Sequence, residues 1–244
     1  MFRYSGSKKR MLKHLPAPPA GTLCIVEPFA GSAAYGLHHR PDSLVLAEAN
    51  SDVRGLWTWL STQASEEDLR EVERLRPSSK IDVRSLLLPK PQETLLRLMV
   101  SGAYVGQLSS WVLYPQHSLN LQGIVDALPY LRGAVQTPVL KDYRETASKD
   151  RRAGALFFVD PPYFGTEGNY HDKSLGTDMT RDVSVAAVTD FVCGLKSPVL
   201  LTYGSGAPEL FPDFDWTLGV IRKVPILRGG GTRDHPEWYA KIRW

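Results

Sequence analysis

The clearest chemical signal in the chain is Asp160-Pro161-Pro162-Tyr163, which directly follows the apolar run 155–159. An apolar run that stops at an acid and two prolines is typical of a buried parallel strand, and ligands bind at the carboxyl ends of such strands. Because proline has no N–H and a fixed φ, the carbonyl groups here are rigid acceptors. A carboxylate and a carbonyl match the two hydrogens of an exocyclic amine, and Tyr163 offers a face for the ring that bears it. We expect this segment to polarise an aromatic amine for attack, unless it is only a capped strand terminator.

A second set of residues lies at the ends of the first two predicted strands. Residues 22–27 and 43–48 are short apolar runs, and they end at Glu27 and Glu48. Gly31 follows the first run and opens a helix, where backbone N–H groups are exposed and a ligand can approach closely. A doubly wound sheet places the acid that binds ribose hydroxyls about 20 residues further on, at Glu48. No G-x-G-x-x-G run is present, which weighs against NAD and FAD, but the two acids favour a cofactor site over a structural turn.

Both sets of residues need a sheet to position them. Further apolar runs that are typical of strands lie in the second half of the chain. Apolar runs at 137–143, 155–160 and 198–204 predict buried strands, and residues 180–196 predict a helix between the last two. The segment 217–244 predicts two antiparallel strands around a Gly-rich loop. Alternating strands and helices predict an α/β fold with a doubly wound sheet.

The middle of the chain interrupts this alternation. Residues 64–76 predict an amphipathic helix with acids in its first turn, and glutamines and aromatic side chains cluster at 100–122. We therefore predict residues 1–54 and 137–244 as one domain and residues 55–136 as an inserted, mostly helical region. The charges of the insert balance, so it is not simply a basic region that binds phosphates.

Composition excludes several classes of protein. The chain has 244 residues, 43% of them hydrophobic and 23% charged, which is ordinary globular usage. No apolar window reaches the 18 or so residues of a membrane span, and the N-terminus lacks the apolar core of a secretory signal. Two cysteines exclude a disulfide framework, and the six histidines show no metal-binding spacing. We expect a soluble cytoplasmic protein without a metal.

Charge is divided unevenly along the chain. Residues 1–40 and residues 220–244 each carry an excess of Lys and Arg, and the middle of the chain carries the opposing acidic excess. If the two basic ends meet in space, they form a face that neutralises phosphates, and otherwise they are solvated termini.

Four motifs, taken together and in this order, carry a family resemblance: Arg3-Tyr4-Ser5-Gly6-Ser7-Lys8, Glu27-Pro28-Phe29-Ala30-Gly31, Glu48-Ala49-Asn50 and Asp160-Pro161-Pro162-Tyr163. They resemble those of the DNA adenine N6-methyltransferases of the bacterial and phage DNA-adenine-methylase type. The segment 229–233 is similar to the final hairpin of that family. The resemblance implies a Rossmann-like methyltransferase sheet, with S-adenosylmethionine as cofactor. The implied substrate is double-stranded DNA, in the cytoplasm of a bacterium or of a phage-infected host. It also implies a target-recognition insert, with or without a partner restriction endonuclease.

The resemblance also implies roles for individual residues. The implied catalytic residues are Asp160, Pro161, Pro162 and Tyr163. The implied cofactor-binding residues are Tyr4, Gly6, Lys8, Glu27, Phe29, Ala30, Gly31, Glu48, Asp142 and Tyr143. From the basic ends and the polar insert we expect DNA contacts by Lys8, Lys9, Arg10, Gln107, Gln116, Asn120, Arg228 and Arg233. The insert has no clear match to the recognition segment of the best-known members, so no target sequence is predicted.

Other functions fit the same motifs. An RNA adenine N6-methyltransferase and a DNA cytosine N4-methyltransferase present a similar amine to the same acceptors. A noncatalytic DNA-binding subunit is a further alternative on this fold. The intact acid, prolines and tyrosine of residues 160–163 favour an enzyme, because a silent domain has no need of them.

Overall fold

The protein is described from a computed structural model, which covers residues 8–100, 112–117, 119–163, 171–172, 177–178, 183–225 and 232–244. The strands are β1 (Cys24–Glu27), β2 (Ser43–Leu46), β3 (Ile81–Asp82), β4 (Val112–Leu113), β5 (Ala155–Val159), β6 (His171–Asp172), β7 (Thr177–Asp178), β8 (Val199–Tyr203), β9 (Trp216–Pro225) and β10 (Thr232–Ile242). The helices are α1 (Ala34–His39), α2 (Ser51–Thr62), α3 (Glu66–Arg74), α4 (Lys90–Val100), α5 (Gln122–Val125), α6 (Leu128–Ala134), α7 (Val185–Gly194) and α8 (Ala207–Leu210). Short 3₁₀ turns lie at Lys8–Arg10, Leu12–His14, Val83–Leu86 and Tyr143–Lys149.

A six-stranded sheet with the order β2-β1-β5-β8-β10-β9 forms the centre of the fold. The first four strands are parallel, and β10 pairs antiparallel with both β8 and β9. The predicted α/β class is confirmed, and a mostly parallel sheet flanked by helices is compatible with the Rossmann-like prediction. The antiparallel C-terminal pair is also confirmed, with β10 between β8 and the edge strand β9.

Apolar side chains on both faces of the sheet explain why these strands form. Every residue of β1, β5 and β8 is buried, as expected for parallel strands that are covered by helices on both sides. Ile25 and Phe158 belong to a core shared with α2, α4 and α6, whereas Val26 and Phe157 belong to a second core beneath α7. Successive residues of one strand therefore serve opposite layers.

Side-chain caps fix the beginnings of α2 and α3. Oδ1 of Asn50 accepts hydrogen bonds from the N–H groups of Asp52 at 2.9 Å and Val53 at 3.2 Å. The hydroxyl of Ser65 accepts from the N–H of Asp68, and the carboxylate of Asp68 accepts from the N–H of Ser65. These caps satisfy backbone donors that have no partner within the helix, and α3 lies within the helix predicted at 64–76.

The continuous strand predicted at 137–143 is wrong. The structure has one isolated parallel bridge within this segment, between Ala47 and Leu140, and another just before it, between Leu44 and Val135. Pro138 has no N–H to donate, so a regular ladder cannot pass through it. The chain bulges between the two bridges and still brings Leu140 beside the end of β2.

The insert packs directly against the sheet. The predicted boundary at residue 55 falls inside α2, and α2 packs against both α4 and α6. Trp57 of α2 and Leu96 of α4 belong to the same apolar core as strand residues such as Leu44. The division into domains stays a prediction. Among the helices that the structure describes, none is long and apolar enough to cross a membrane.

The Asn50 cap predicts a measurable stability. We expect Asn50→Ala to lower the free energy of unfolding by about 1–2 kcal/mol, because two backbone N–H groups lose a buried acceptor. Urea denaturation measures this loss. Asn50→Ser retains a capping oxygen and should recover most of it, and an equal loss in both variants would contradict the capping role.

Candidate active site at the carboxyl ends of the parallel strands

Three acids lie at one edge of the sheet. Glu48 follows β2, Glu27 ends β1 and Asp160 follows β5, and these three strands are neighbours in the order β2-β1-β5. Glu27 is 1% exposed and Glu48 is 7% exposed, and the Asp160 side chain is 15% exposed. The structure therefore places the acids of the predicted cofactor and catalytic motifs side by side, where a doubly wound sheet binds its ligands.

The Asp160 carboxylate is held by a lysine and a threonine from distant segments. Lys8 Nζ lies 2.6 Å from Asp160 Oδ1 and donates to Oδ2 at 2.7 Å, and Thr202 Oγ1 of β8 donates to Oδ1 at 2.8 Å. Burial raises the pKa of Asp160 above its ordinary value, and the Lys8 charge opposes part of this shift. The ammonium thus keeps a buried carboxylate partnered.

Both the hydroxyl and the ring of Tyr163 are held by neighbouring side chains. Its hydroxyl donates to Glu237 Oε2 of β10 at 2.6 Å, and its ring lies 4.9 Å from Lys8 Nζ. The backbone of Gly204 passes so close that a Cβ there would lie 2.6 Å from Tyr163 Cε2. The absence of a side chain at Gly204 therefore makes room for the ring.

Glu48 holds the glycine turn that follows β1. Its Oε2 accepts from the N–H of Gly31 at 3.0 Å, and its Oε1 accepts from the N–H of Asn50 at 2.9 Å. The Gly31 carbonyl in turn accepts from Trp57 Nε1 at 2.9 Å, and Gly31 has a φ of +48°, which favours glycine. Burial raises the pKa of Glu48 to about 7, and the two N–H donors oppose that shift. A carboxylate has about four acceptor positions, so these bonds leave capacity for ligand hydroxyls.

Glu27 is the most deeply buried of the three acids. Its Oε1 accepts from the N–H of Gly36 at 2.6 Å, which ties α1 to the end of β1. Burial raises the pKa of Glu27 to about 8, and the charge of Asp160 contributes to the increase. Glu27 is thus predominantly protonated at neutral pH, and its Oε1 anchors the backbone of α1.

Two of the residues predicted to bind a cofactor, Phe29 and Tyr143, belong to an aromatic cluster. The rings of Phe29 and Tyr143 stack with centroids 4.9 Å apart, and Phe191 of α7 meets Tyr143 edge-on at 5.2 Å. Asp142 caps the 3₁₀ turn that begins at Tyr143, and Arg144 Nε donates to its carboxylate at 2.9 Å. This hydrogen bond lowers the pKa of Asp142, so the carboxylate is charged beside the cluster.

The residues predicted to contact DNA are placed only in part. Lys9 and Arg10 are exposed on a 3₁₀ turn beside Lys8, and Gln116 and Asn120 are exposed in the insert. The predicted residues that lie outside the described part of the chain are Tyr4, Gly6, Gln107 and Arg228. Arg233 lies in β10, but its side chain is outside the description.

Sequence reasoning missed four contributors to this edge of the sheet. Thr202 lies in β8, Gly204 directly follows β8, and Glu237 lies in the neighbouring β10. The fourth residue, Arg144, pairs with Asp142. A polar Thr202 inside the apolar run 198–204 was a signal in the sequence, whereas nothing local pointed to Glu237. Within the described ranges, no group of three or more His, Cys, Asp or Glu residues is placed to hold a metal ion.

The raised pKa of Glu27 predicts a pH-dependent stability. The unfolded chain loses this proton near pH 4.5, whereas the folded protein keeps it to about pH 8. Between these values the free energy of unfolding should fall as pH rises, by at most about 1.4 kcal/mol per pH unit from this group. Glu27→Gln cannot ionise, so its stability relative to wild type should rise between pH 5 and pH 8.

Urea denaturation at the two pH values measures this difference. Glu71→Gln, at an exposed position of α3, is the matched control and should leave the wild-type pH dependence unchanged. A Glu27→Gln variant whose stability runs parallel to wild type at every pH would contradict the assignment.

Comparison with known proteins adds no relative from which roles can be transferred. No protein-family model matches the chain, and no curated protein is significantly similar to it. The resemblance to DNA adenine N6-methyltransferases therefore rests on four ordered motifs. Three of them contribute acids to the same edge of the sheet, and Lys8 of the remaining motif reaches the same place.

Proposed function

We propose that this protein transfers a methyl group from S-adenosylmethionine to the N6 amine of a flipped-out adenine in DNA. The observation that carries the proposal is the position of the Lys8 ammonium. Its nitrogen lies within 2.7 Å of both oxygens of Asp160 and over the ring of Tyr163. A base amine needs the same surroundings, because it must donate to a carboxylate while its ring stacks on an aromatic face. The position of Lys8 Nζ is therefore one where the Asp160 carboxylate and the Tyr163 ring can bind a nitrogen that carries several hydrogens.

Methyl transfer to the amine requires hydrogen-bond acceptors for its two hydrogens and a fixed orientation of the base. An exocyclic amine is a weak nucleophile because its lone pair is delocalised into the ring. Asp160 Oδ2 and the carbonyl of Pro161, held rigid by the following Pro162, would accept the two hydrogens and favour the pyramidal form of the nitrogen. Tyr163 would hold the plane of the base so that the lone pair points at the methyl group.

The residues beside β1 and β2 suit the cofactor. Glu48 retains acceptor capacity for ribose hydroxyls, Gly31 permits close approach of a ligand, and Phe29 with Tyr143 offers aromatic surface for a purine ring. When bound, S-adenosylmethionine supplies a methyl group on a sulfonium that is a good leaving group. The carbon–sulfur bond would break as the carbon–nitrogen bond forms, the neutral thioether would leave, and the amine would release one proton to solvent.

The DNA contacts belong to the proposal as well. Lys9 and Arg10 are exposed next to the site and would neutralise phosphates. Gln116 and Asn120 project from the insert, where amides can pair with base edges in the major groove. Extrusion of the target base costs a few kcal/mol, which contacts of this kind must offset.

Product identification tests the proposal. The full chain is incubated with S-adenosylmethionine labelled in the methyl group and with duplex DNA, single-stranded DNA and RNA, and the labelled nucleoside is identified by mass spectrometry. We expect N6-methyladenine in duplex DNA, and sequencing of the methylated positions then gives the target. N4-methylcytosine or methylated RNA would replace the proposal with the corresponding alternative, and absence of any labelled nucleoside would support a noncatalytic protein.

Asp160 provides the matched mutational test. We expect Asp160→Ala to abolish methyl transfer and to change the affinity for S-adenosylmethionine by less than about tenfold, or 1.4 kcal/mol. The reason is that the proposed cofactor contacts lie at β1 and β2, whereas Asp160 is assigned to the amine. Calorimetry measures the affinity and also reports folding. Thr202→Val, which removes one hydrogen bond to Asp160, should lower turnover without abolishing it. Near-normal turnover of Asp160→Ala would refute the catalytic assignment.

A further inference from the structure

The Lys8 ammonium lies between two carboxylates, one from β5 and one from β10. Its Nζ is 2.6 Å from Asp160 Oδ1 and 3.9 Å from Glu237 Oε2. Lys8 is 4% exposed and Glu237 is 2% exposed, so both charges are shielded from solvent. The sequence motifs give Glu237 no role. Its carboxylate is nevertheless placed next to the acid that carries the proposed chemistry.

In the proposed reaction, the target amine and the Lys8 ammonium compete for the same position beside Asp160. An adenine amine that binds Asp160 must take the position that Lys8 Nζ holds in the structure. Lys8 must then move, and a buried ammonium that leaves one carboxylate without reaching another is strongly unfavourable. The short 3₁₀ turn Lys8–Arg10 holds the backbone, so the flexible side chain is the part that can move.

We infer that Glu237 receives the Lys8 ammonium when the target amine displaces it from Asp160. This inference rests on the proposed function and names a further positioning residue for it. The present distance of 3.9 Å to Glu237 Oε2 exceeds a charge-assisted hydrogen bond by about 1 Å, which a rotation of the lysine side chain covers. The positive charge stays in the site, and the buried pairing moves from one carboxylate to the other.

The surroundings of Glu237 suit this role. Tyr163 donates its hydroxyl hydrogen to Oε2 at 2.6 Å, and His235 Nδ1 lies 3.6 Å from Oε1. An oxygen of a carboxylate has two lone pairs, so Oε2 can keep Tyr163 while it accepts Lys8. The residue that receives the lysine therefore also holds the ring on which the incoming base would stack.

A purely structural role for Glu237, as an anchor of Tyr163, makes a different prediction. Glu237→Gln keeps the size of the side chain and an oxygen that can accept from the tyrosine hydroxyl, but it removes the charge. Tyr163→Phe removes the hydroxyl and keeps the ring and the charge of Glu237. If Glu237 acts only as an anchor, Tyr163→Phe has the larger effect. If Glu237 receives Lys8, Glu237→Gln has the larger effect.

The experiment measures binding, so that it does not depend on turnover. Duplexes carry the target sequence found with the wild-type protein, with either adenine or an abasic site at the methylated position. Dissociation constants are measured by fluorescence anisotropy with saturating S-adenosylhomocysteine. We expect Glu237→Gln to weaken the adenine duplex at least about tenfold and the abasic duplex less than twofold, because only a base displaces Lys8. We expect Tyr163→Phe to change the ratio of the two constants by less than Glu237→Gln does.

A double-mutant cycle supplies the second readout. In a Lys8→Ala background no ammonium needs a new partner, so the added Glu237→Gln change should alter the ratio less than twofold. A Glu237→Gln effect that is equal for both duplexes, or that persists without Lys8, would overturn the inference. If Glu237→Gln does not fold, Glu237→Asp is used, because its carboxylate is too short to reach Lys8 and should show the same selective loss. A wild-type protein that methylates no nucleic acid would instead refute the proposed function, on which this inference depends.

Discussion

A carboxylate that is buried at the end of a parallel strand must find hydrogen-bond donors, and this requirement organises the whole candidate site. Three neighbouring strands each end in such a group, at Glu48, Glu27 and Asp160. Each takes its donors from a different part of the chain: Glu48 from Gly31 and Asn50, Glu27 from Gly36, and Asp160 from Lys8 and Thr202. The acids therefore tie the segments that leave the sheet to the strand ends.

Burial raises the pKa of all three acids, and their donors oppose this shift in different ways. Glu27 and Glu48 accept from backbone amides, and their pKa values rise to about 8 and about 7. For Asp160, the charge and the hydrogen bond of Lys8 oppose the rise in pKa, and the two side chains form an ion pair. Glu27 thus provides an uncharged anchor at neutral pH, and Glu48 has a pKa near neutral pH. Asp160 provides an acceptor that is ion-paired with Lys8.

Local sequence patterns predicted the parts of this site that depend on neighbours along the chain. These parts are the apolar runs that became β1, β2, β5 and β8, the helix that became α3, and the position of residues 160–163 directly after a strand. The continuous strand at 137–143 was wrong because Pro138 outweighs the apolar pattern around it. The pairing of Glu237 with Tyr163 and Lys8 was not readable, because it depends on β10 lying between β8 and β9. Strand order is set by packing over the whole sheet, and no short window of sequence contains it.

The position of β10 beside β8 also bears on when the site becomes complete during synthesis. Ribosomes add residues from the N-terminus at about 5–20 per second, so Lys8 leaves the exit tunnel long before the strands that surround it. A nascent chain that ends before residue 232 contains Lys8 and Asp160, but it lacks Glu237, and the edge of β8 stays open in it. The acceptor of the Tyr163 hydroxyl arrives only with β10. The environment of Asp160 is therefore complete only after translation has passed β10.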